Sequence, residues 1–291
     1  MASGTIDRDR SATRALRRMA GRLVRRAVRA LASAEPSARA VHAARKDLKR
    51  ARTVLRLLRS VLGEPIYRRE DLILRDAAHA LNAARDAKML TETLQSLRRR
   101  VPSLRESRHV AELLGSLEVE QVNMQRRLGN QPSQLTRTAR QLRRLGARAD
   151  GWHVGRHGWS VLGPALKRLY RRGRRALPPT HLPPSDASLH EWRKQVKYLR
   201  YALEMLRAGR SGKLARIARR AECLTDSLGE AHDLAVLARK AHAFAKRNRG
   251  DLGPLFVTVE RRRTRLAVDS VRSGAELFAE KPRDWQRELS H

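Results

Sequence analysis

Apolar residues recur along nearly the whole chain at intervals of three and four, the period of a helix with one buried face. Between residues 11 and 32, Leu16, Ala20, Leu23, Ala27 and Leu31 form such a face. Arg14, Arg18, Arg22, Arg25 and Arg29 run down the other side. Residues 41–59 repeat the design. Val41, Ala44, Leu48, Ala51, Leu55 and Leu58 fall on one side of the wheel, and His42, Arg45, Lys46, Lys49, Arg52 and Arg56 on the other. Pro36 and the Gly63-Glu64-Pro65 break bound this second helix. The same reading predicts helices over about 66–100, 104–128, 133–148, 164–177, 189–206, 211–247 and 254–279, with Pro164 in a first turn. The one β-leaning run, Phe256 to Val259, is too short to argue for a sheet.

The pattern repeats within the chain. His190, Arg193, Lys194, Lys197 and Arg200 stand 148 residues (190 − 42) after His42, Arg45, Lys46, Lys49 and Arg52. Arg168, Arg172 and Arg175 echo Arg18, Arg22 and Arg25 at an offset of 150. Leu81, Ala84, Asp86 and Leu90 match Leu228, Ala231, Asp233 and Leu237 at 147. Two similar helical units follow, related by a pseudo-twofold. The organisation expected is a flexible N-terminus (1–10), a first helical half (11–150), a joint (151–163), a second half (164–280) and a C-terminal tail (281–291). The joint is rich in Gly, Trp and His, and Trp152, His153, His157 and Trp159 read as packing residues there.

Charge narrows the partners. The chain has 64 basic and 29 acidic residues, a formal net charge of +35. Fifty-four of the basic residues are arginine, whose fork matches phosphate oxygens. So much like charge is relieved by a polyanion: nucleic acid, an anionic membrane or inorganic polyphosphate. Aromatic content of 4% is thin for reading single strands by stacking. The opening residues lack an apolar signal core, and no run is long enough to span a bilayer, so the expectation is a cytoplasmic protein without a membrane partner. Cys223, the one cysteine, is expected as a small core residue in a reducing compartment.

The two H-x-x-R-K patterns at His42 and His190, each followed by an aspartate segment at 85–86 and 232–233, resemble the CHAD family, as does VKYLRY at 196–201. The resemblance covers about residues 11–280. It implies an all-α fold of two four-helix bundles around a basic central cavity. It also implies non-catalytic binding of inorganic polyphosphate, association with polyphosphate granules and possible contact with other granule proteins. The E-x-E-x-K signature of the triphosphate-tunnel domain carried by many relatives is absent. At the glycine of the second aspartate segment, Gly229, the first has Asn82, which puts the local helix packing in question.

The polyphosphate site expected therefore comprises Arg18, Arg22, Arg25, His42, Arg45, Lys46, Lys49, Arg52, Arg56, Arg168, Arg172, Arg175, His190, Arg193, Lys194, Lys197, Arg200 and Tyr201. Side chains one helical turn apart, about 5.4 Å, can take successive phosphates, each releasing a counterion. Glu204 stands where the first copy has Arg56, which shortens the second stripe. His42 and His190 read as phosphate hydrogen-bond donors, because neighbouring cations repel a metal and no second ligand stands at i+3 or i+4. Asp86 and Asp233 read as orienting or structural partners. No cofactor is expected. The alternatives are a basic protein associated with nucleic acid such as ribosomal RNA and, third, a metal-dependent phosphoryl-transfer enzyme. On the leading reading, nucleic acid is only a non-specific polyanion.

Overall fold

A computed structural model describes residues 12–32, 37–129, 132–155, 157–179, 184–206, 212–248 and 250–289. The expected flexible N-terminus lies outside them. Among the described residues there are twelve helices and no strand. They are α1 (Ala12–Ala30), α2 (Ala38–Leu62), α3 (Glu64–Ala80), α4 (Asn82–Arg100), α5 (Pro102–Glu106), α6 (Arg108–Gly129), α7 (Pro132–Asp150), α8 (Trp159–Arg175), α9 (Asp186–Leu206), α10 (Gly212–Asn248), α11 (Gly253–Leu277) and α12 (Pro282–Glu288).

Local chemistry sets the boundaries of the helices that matter most. The Ser37 side chain accepts from the Ala40 N–H at 3.2 Å and opens α2. Gly63, at φ 77°, closes it, and Pro65 sits in the first turn of α3. α1 packs on α2, α2 on α3, α3 on α7 and α7 on α1, a closed ring of four. In the second half α8 packs on α9, α9 on α10 and α10 on α11. The halves join where α2 meets α8 and α9, and where α4 meets α10.

Four sequence expectations change. The helix expected over 66–100 is broken at Leu81, at φ −99° and ψ 7°, into α3 and α4. Its counterpart α10 runs unbroken over the same span, 148 positions on. α8 starts at Trp159, and Pro164 lies inside it. The missing Pro164 donor frees the carbonyl of Ser160, an exposed residue. The C-terminal tail holds α12, whose Trp285 is 2% exposed and stacks on Tyr170 at 4.1 Å. Cys223 is exposed on α10 rather than in the core.

The apolar interior forms two clusters, and both draw on both sequence halves. The larger joins α1, α2, α3 and α7 to α8, α9, the first half of α10, the end of α11 and α12. The smaller joins α4, α5 and α6 to the second half of α10 and the start of α11. The segment expected as a joint is tied to α1: the Thr13 hydroxyl donates to the Gly155 carbonyl at 3.2 Å, and Arg17 donates to the carbonyl of Trp152. Trp152 is buried, whereas His153 and His157 are exposed.

Candidate functional site

The two basic helices meet. α2 and α9 are in contact. Arg50 donates to Glu204 at 3.0 Å. The Arg56 guanidinium stands 3.9 Å over the ring of Tyr198, with Arg52 at 5.9 Å. Burial lowers the His190 imidazole below its usual range, and Lys194 and Arg193 on its own helix and Lys49 on α2 lower it further, against Glu191. Stripes separated by 148 residues thus share one seam.

Many of the cations expected to face a ligand already hold protein acceptors. Arg52 grips Asp71 of α3 with two bonds of 2.9 Å, and Arg56 adds a third at 3.0 Å. Burial alone would raise the Asp71 carboxyl, but the two guanidiniums hold it below the carboxylate range. Arg200 donates to Glu204 at 2.7 Å, to Asp226 and the Thr225 hydroxyl at 2.9 Å, and to Glu222. Lys194 pairs with Glu191 at 2.5 Å. Arg25 of α1 pairs with Asp150 of α7. Arg18 and Arg22 are exposed, also on α1.

Two expected ligand contacts are largely buried arginines. Arg45 is 7% exposed and donates to the carbonyl of Ala78 at 2.6 Å and to the side chain of Asn82. Ala78 lies in the last turn of α3, where carbonyls lack helical donors, so Arg45 caps the break that Leu81 makes. Arg193, also 7% exposed, crosses α10 at Gly229, 3.5 Å from where a Cβ would stand. Arg193 thus lies beside Gly229 on an unbroken helix, and Asn82 at the matching position accepts from Arg45 beside a broken one. Tyr201 is 8% exposed and packs into the larger apolar cluster, with the guanidiniums of Arg50 and Arg200 at 5.6 and 6.0 Å from its ring.

The cations more open to a ligand lie on and beside α2. His42 and Lys46 are exposed, and Lys49 and Lys197 are half-buried. Arg168 of α8 is half-buried, and no carboxylate pairs with it among the described residues. Burial and the charges of Arg59, Arg172 and Arg171 lower its pKa. Arg172 and Arg175 are exposed along the same helix.

One partnership was not drawn from the sequence. His190 Nδ1 lies 3.3 Å from His232 Nδ1, with the rings tilted and their centroids 4.7 Å apart. At this spacing one ring's Nδ1–H donates and the other Nδ1 accepts. Both rings line a pocket of about 330 Å³ with Asp186 and Arg239. The signal was the His-Asp pair at 232–233, read for its aspartate alone. Asp86 and Asp233 come together beside His232, around a cavity of about 50 Å³. Among the described residues no three His, Cys, Asp or Glu side chains are grouped to hold a metal ion. No helix among them is long and apolar enough to cross a membrane.

The CHAD domain model matches residues 14–242, most of the chain. The chain belongs to the CHAD family. Its helices also superpose on solved structures. The CHAD domain from the plant Ricinus communis gives a TM-score of 0.67 at 20% identity, over 97% of this chain and 96% of that one. PptA from Streptomyces chartreusis gives 0.63 at 16% identity, over 94% and 99%. These likenesses show the same fold over nearly the whole chain. No curated protein matches the chain.

Proposed function

We propose that this CHAD-family protein binds inorganic polyphosphate without catalysing a reaction on it, in the cytoplasm and at polyphosphate granules. The observation that carries the reading is the meeting of α2 and α9, which draws two H-x-x-R-K helices into one seam beside Arg168, with which no carboxylate pairs among the described residues. A flexible chain of phosphates, without sugars or bases to accommodate, can follow such a seam and take one cation per phosphate. Family membership supports the same assignment, and the net charge of +35 supplies long-range attraction.

The test is competition between long polyphosphate and single-stranded RNA of equal phosphate number across a salt series. Non-specific attraction falls with log salt at roughly −0.7 per phosphate engaged on a single strand. Partly desolvated arginine contacts are screened less. At physiological ionic strength, where the Debye length is about 8 Å, polyphosphate stays bound and RNA is displaced. Lys46→Ala with Lys49→Ala, or Arg168→Ala with Arg172→Ala, weakens polyphosphate more than neutralising Arg261 and Arg265 of α11. RNA winning, with the seam variants acting most on RNA, assigns the protein to nucleic acid instead.

A further inference from the structure

The two halves repeat in sequence but not in charge, and the difference sits at the matching positions Arg52 and Arg200. Arg52 shares one carboxylate, Asp71, with Arg56, so that group of three carries a net positive charge. Asp71 is tucked between α2 and α3, its side chain 19% exposed. Arg200 faces three carboxylates: Glu204, where the first stripe has Arg56, and Glu222 and Asp226 from α10. Arg50 adds a second guanidinium on Glu204. Among these ion pairs two guanidiniums stand against three carboxylates, and all three Arg200 nitrogens are already donating. The outer carboxylates are in solvent, Glu222 with 43% and Asp226 with 69% of its side chain exposed.

The groove beneath the second stripe is mixed in charge. It holds about 420 Å³ and is lined by the cations Arg100, Arg193 and Lys197 and by the acids Glu92, Asp226, Glu230 and Asp233, of which Glu230 is held by Arg262 and Glu92 by Lys88. On the α2 and α8 side, Arg168 has Arg59, Arg171 and Arg172 around it and, among the described residues, no acid in pair distance.

We propose that Glu204, Glu222 and Asp226 form a carboxylate stop that ends the polyanion track at Arg200, so that a phosphate chain is held over α2 and α8 and is turned away from the far end of α9. Arg200 is then the anchor of the stop, not a phosphate ligand. The stop sets how many phosphates one protein engages. It therefore favours chains whose ends or bends leave the track there over chains lying along both stripes. The inference rests on the polyphosphate reading.

The experiment compares wild type with Glu222→Gln/Asp226→Asn, a half-buried and an exposed position whose changes leave the Arg200–Glu204 pair in place. The control is Asp269→Asn/Glu276→Gln, which makes the same change in net charge on α11. Binding of long inorganic polyphosphate and of tripolyphosphate is titrated against salt, with folding checked by circular dichroism. With a stop, the first variant binds long chains up to about tenfold more tightly at physiological ionic strength. Its log–log salt slope steepens by roughly 0.7 per phosphate gained, while tripolyphosphate, short enough to sit on α2 and α8, is unchanged. If the control gains as much, or the slope does not move, the stop is overturned and polyphosphate binding stands. If wild type fails to hold long polyphosphate at that ionic strength, the reading beneath it falls and the stop with it.

Discussion

Replacing Arg45 with Met separates a structural arginine from a ligand-binding one. On a helical wheel Arg45 and Lys46 belong to the same cationic face, and both removals subtract one charge. In the fold they differ. Arg45 is 7% exposed and satisfies an end carbonyl of α3 and the Asn82 side chain, while Lys46 is exposed. A hydrogen bond from a charged donor is worth about 1.5–3 kcal/mol, and stranding the buried carbonyl adds to the loss. Met keeps most of the stem's packing, so Arg45→Met costs about 3 kcal/mol through the lost donors. Lys46→Met stays within about 0.5 kcal/mol. Urea unfolding followed by circular dichroism reads the difference. With a slope of about 3 kcal/mol per molar, the Arg45→Met midpoint falls by about 1 M while that of Lys46→Met barely moves. Asn82→Ala alone, and combined with Arg45→Met, completes a cycle whose two changes are non-additive because they break one contact. Equal midpoints for the two Met variants, or strict additivity in the cycle, would refute the capping role.

Two further outcomes are expected. Trp285→Ala removes a side chain that is 2% exposed and stacked on Tyr170, and costs about 3–5 kcal/mol in thermal or urea unfolding, whereas a mere tail predicts no change. His190 has a folded pKa below its ordinary 6.5, so the unfolded chain takes up protons first. The stability this group supports is full above pH 6.5 and is lost as pH falls from there through the lowered value. Melting temperatures measured from pH 8 to 5 therefore drop more for wild type than for His190→Gln.

The helices and their repeat were legible because burial on one face leaves a period in the chain that neighbours do not erase. α2 and α9, the ends of α10 and the absence of sheet could all be read that way. The break at Leu81 was not, since neither Pro nor Gly marks it. It depends on Arg45, 36 positions upstream, reaching the freed carbonyl. α12 was missed because seven residues give too little period, and its one buried anchor, Trp285, looks like any terminal aromatic. The site was legible as two cationic faces but not as a charge balance. Asp71, Glu222 and Asp226 come from other helices, and a wheel sees only its own. Arg45 and Arg193 were mistaken for solvent-facing cations for the same reason: what buries them lies on α3, α4 and α10.

α10 has a mechanical meaning for the molecule. Its 37 residues make an unbroken rod about 55 Å long. Leu214 to Leu228 are set in the larger apolar cluster and Ala231 to Phe244 in the smaller. A rod anchored in both bodies transmits torque between them, so neither can twist or melt far without loading the other. The first half has a joint at Leu81 where this beam is continuous. Amides in the middle of α10 should therefore exchange with solvent only when the entire molecule opens, and those flanking Leu81 by a smaller, local opening. The broken strut yields and the unbroken one keeps the assembly in register.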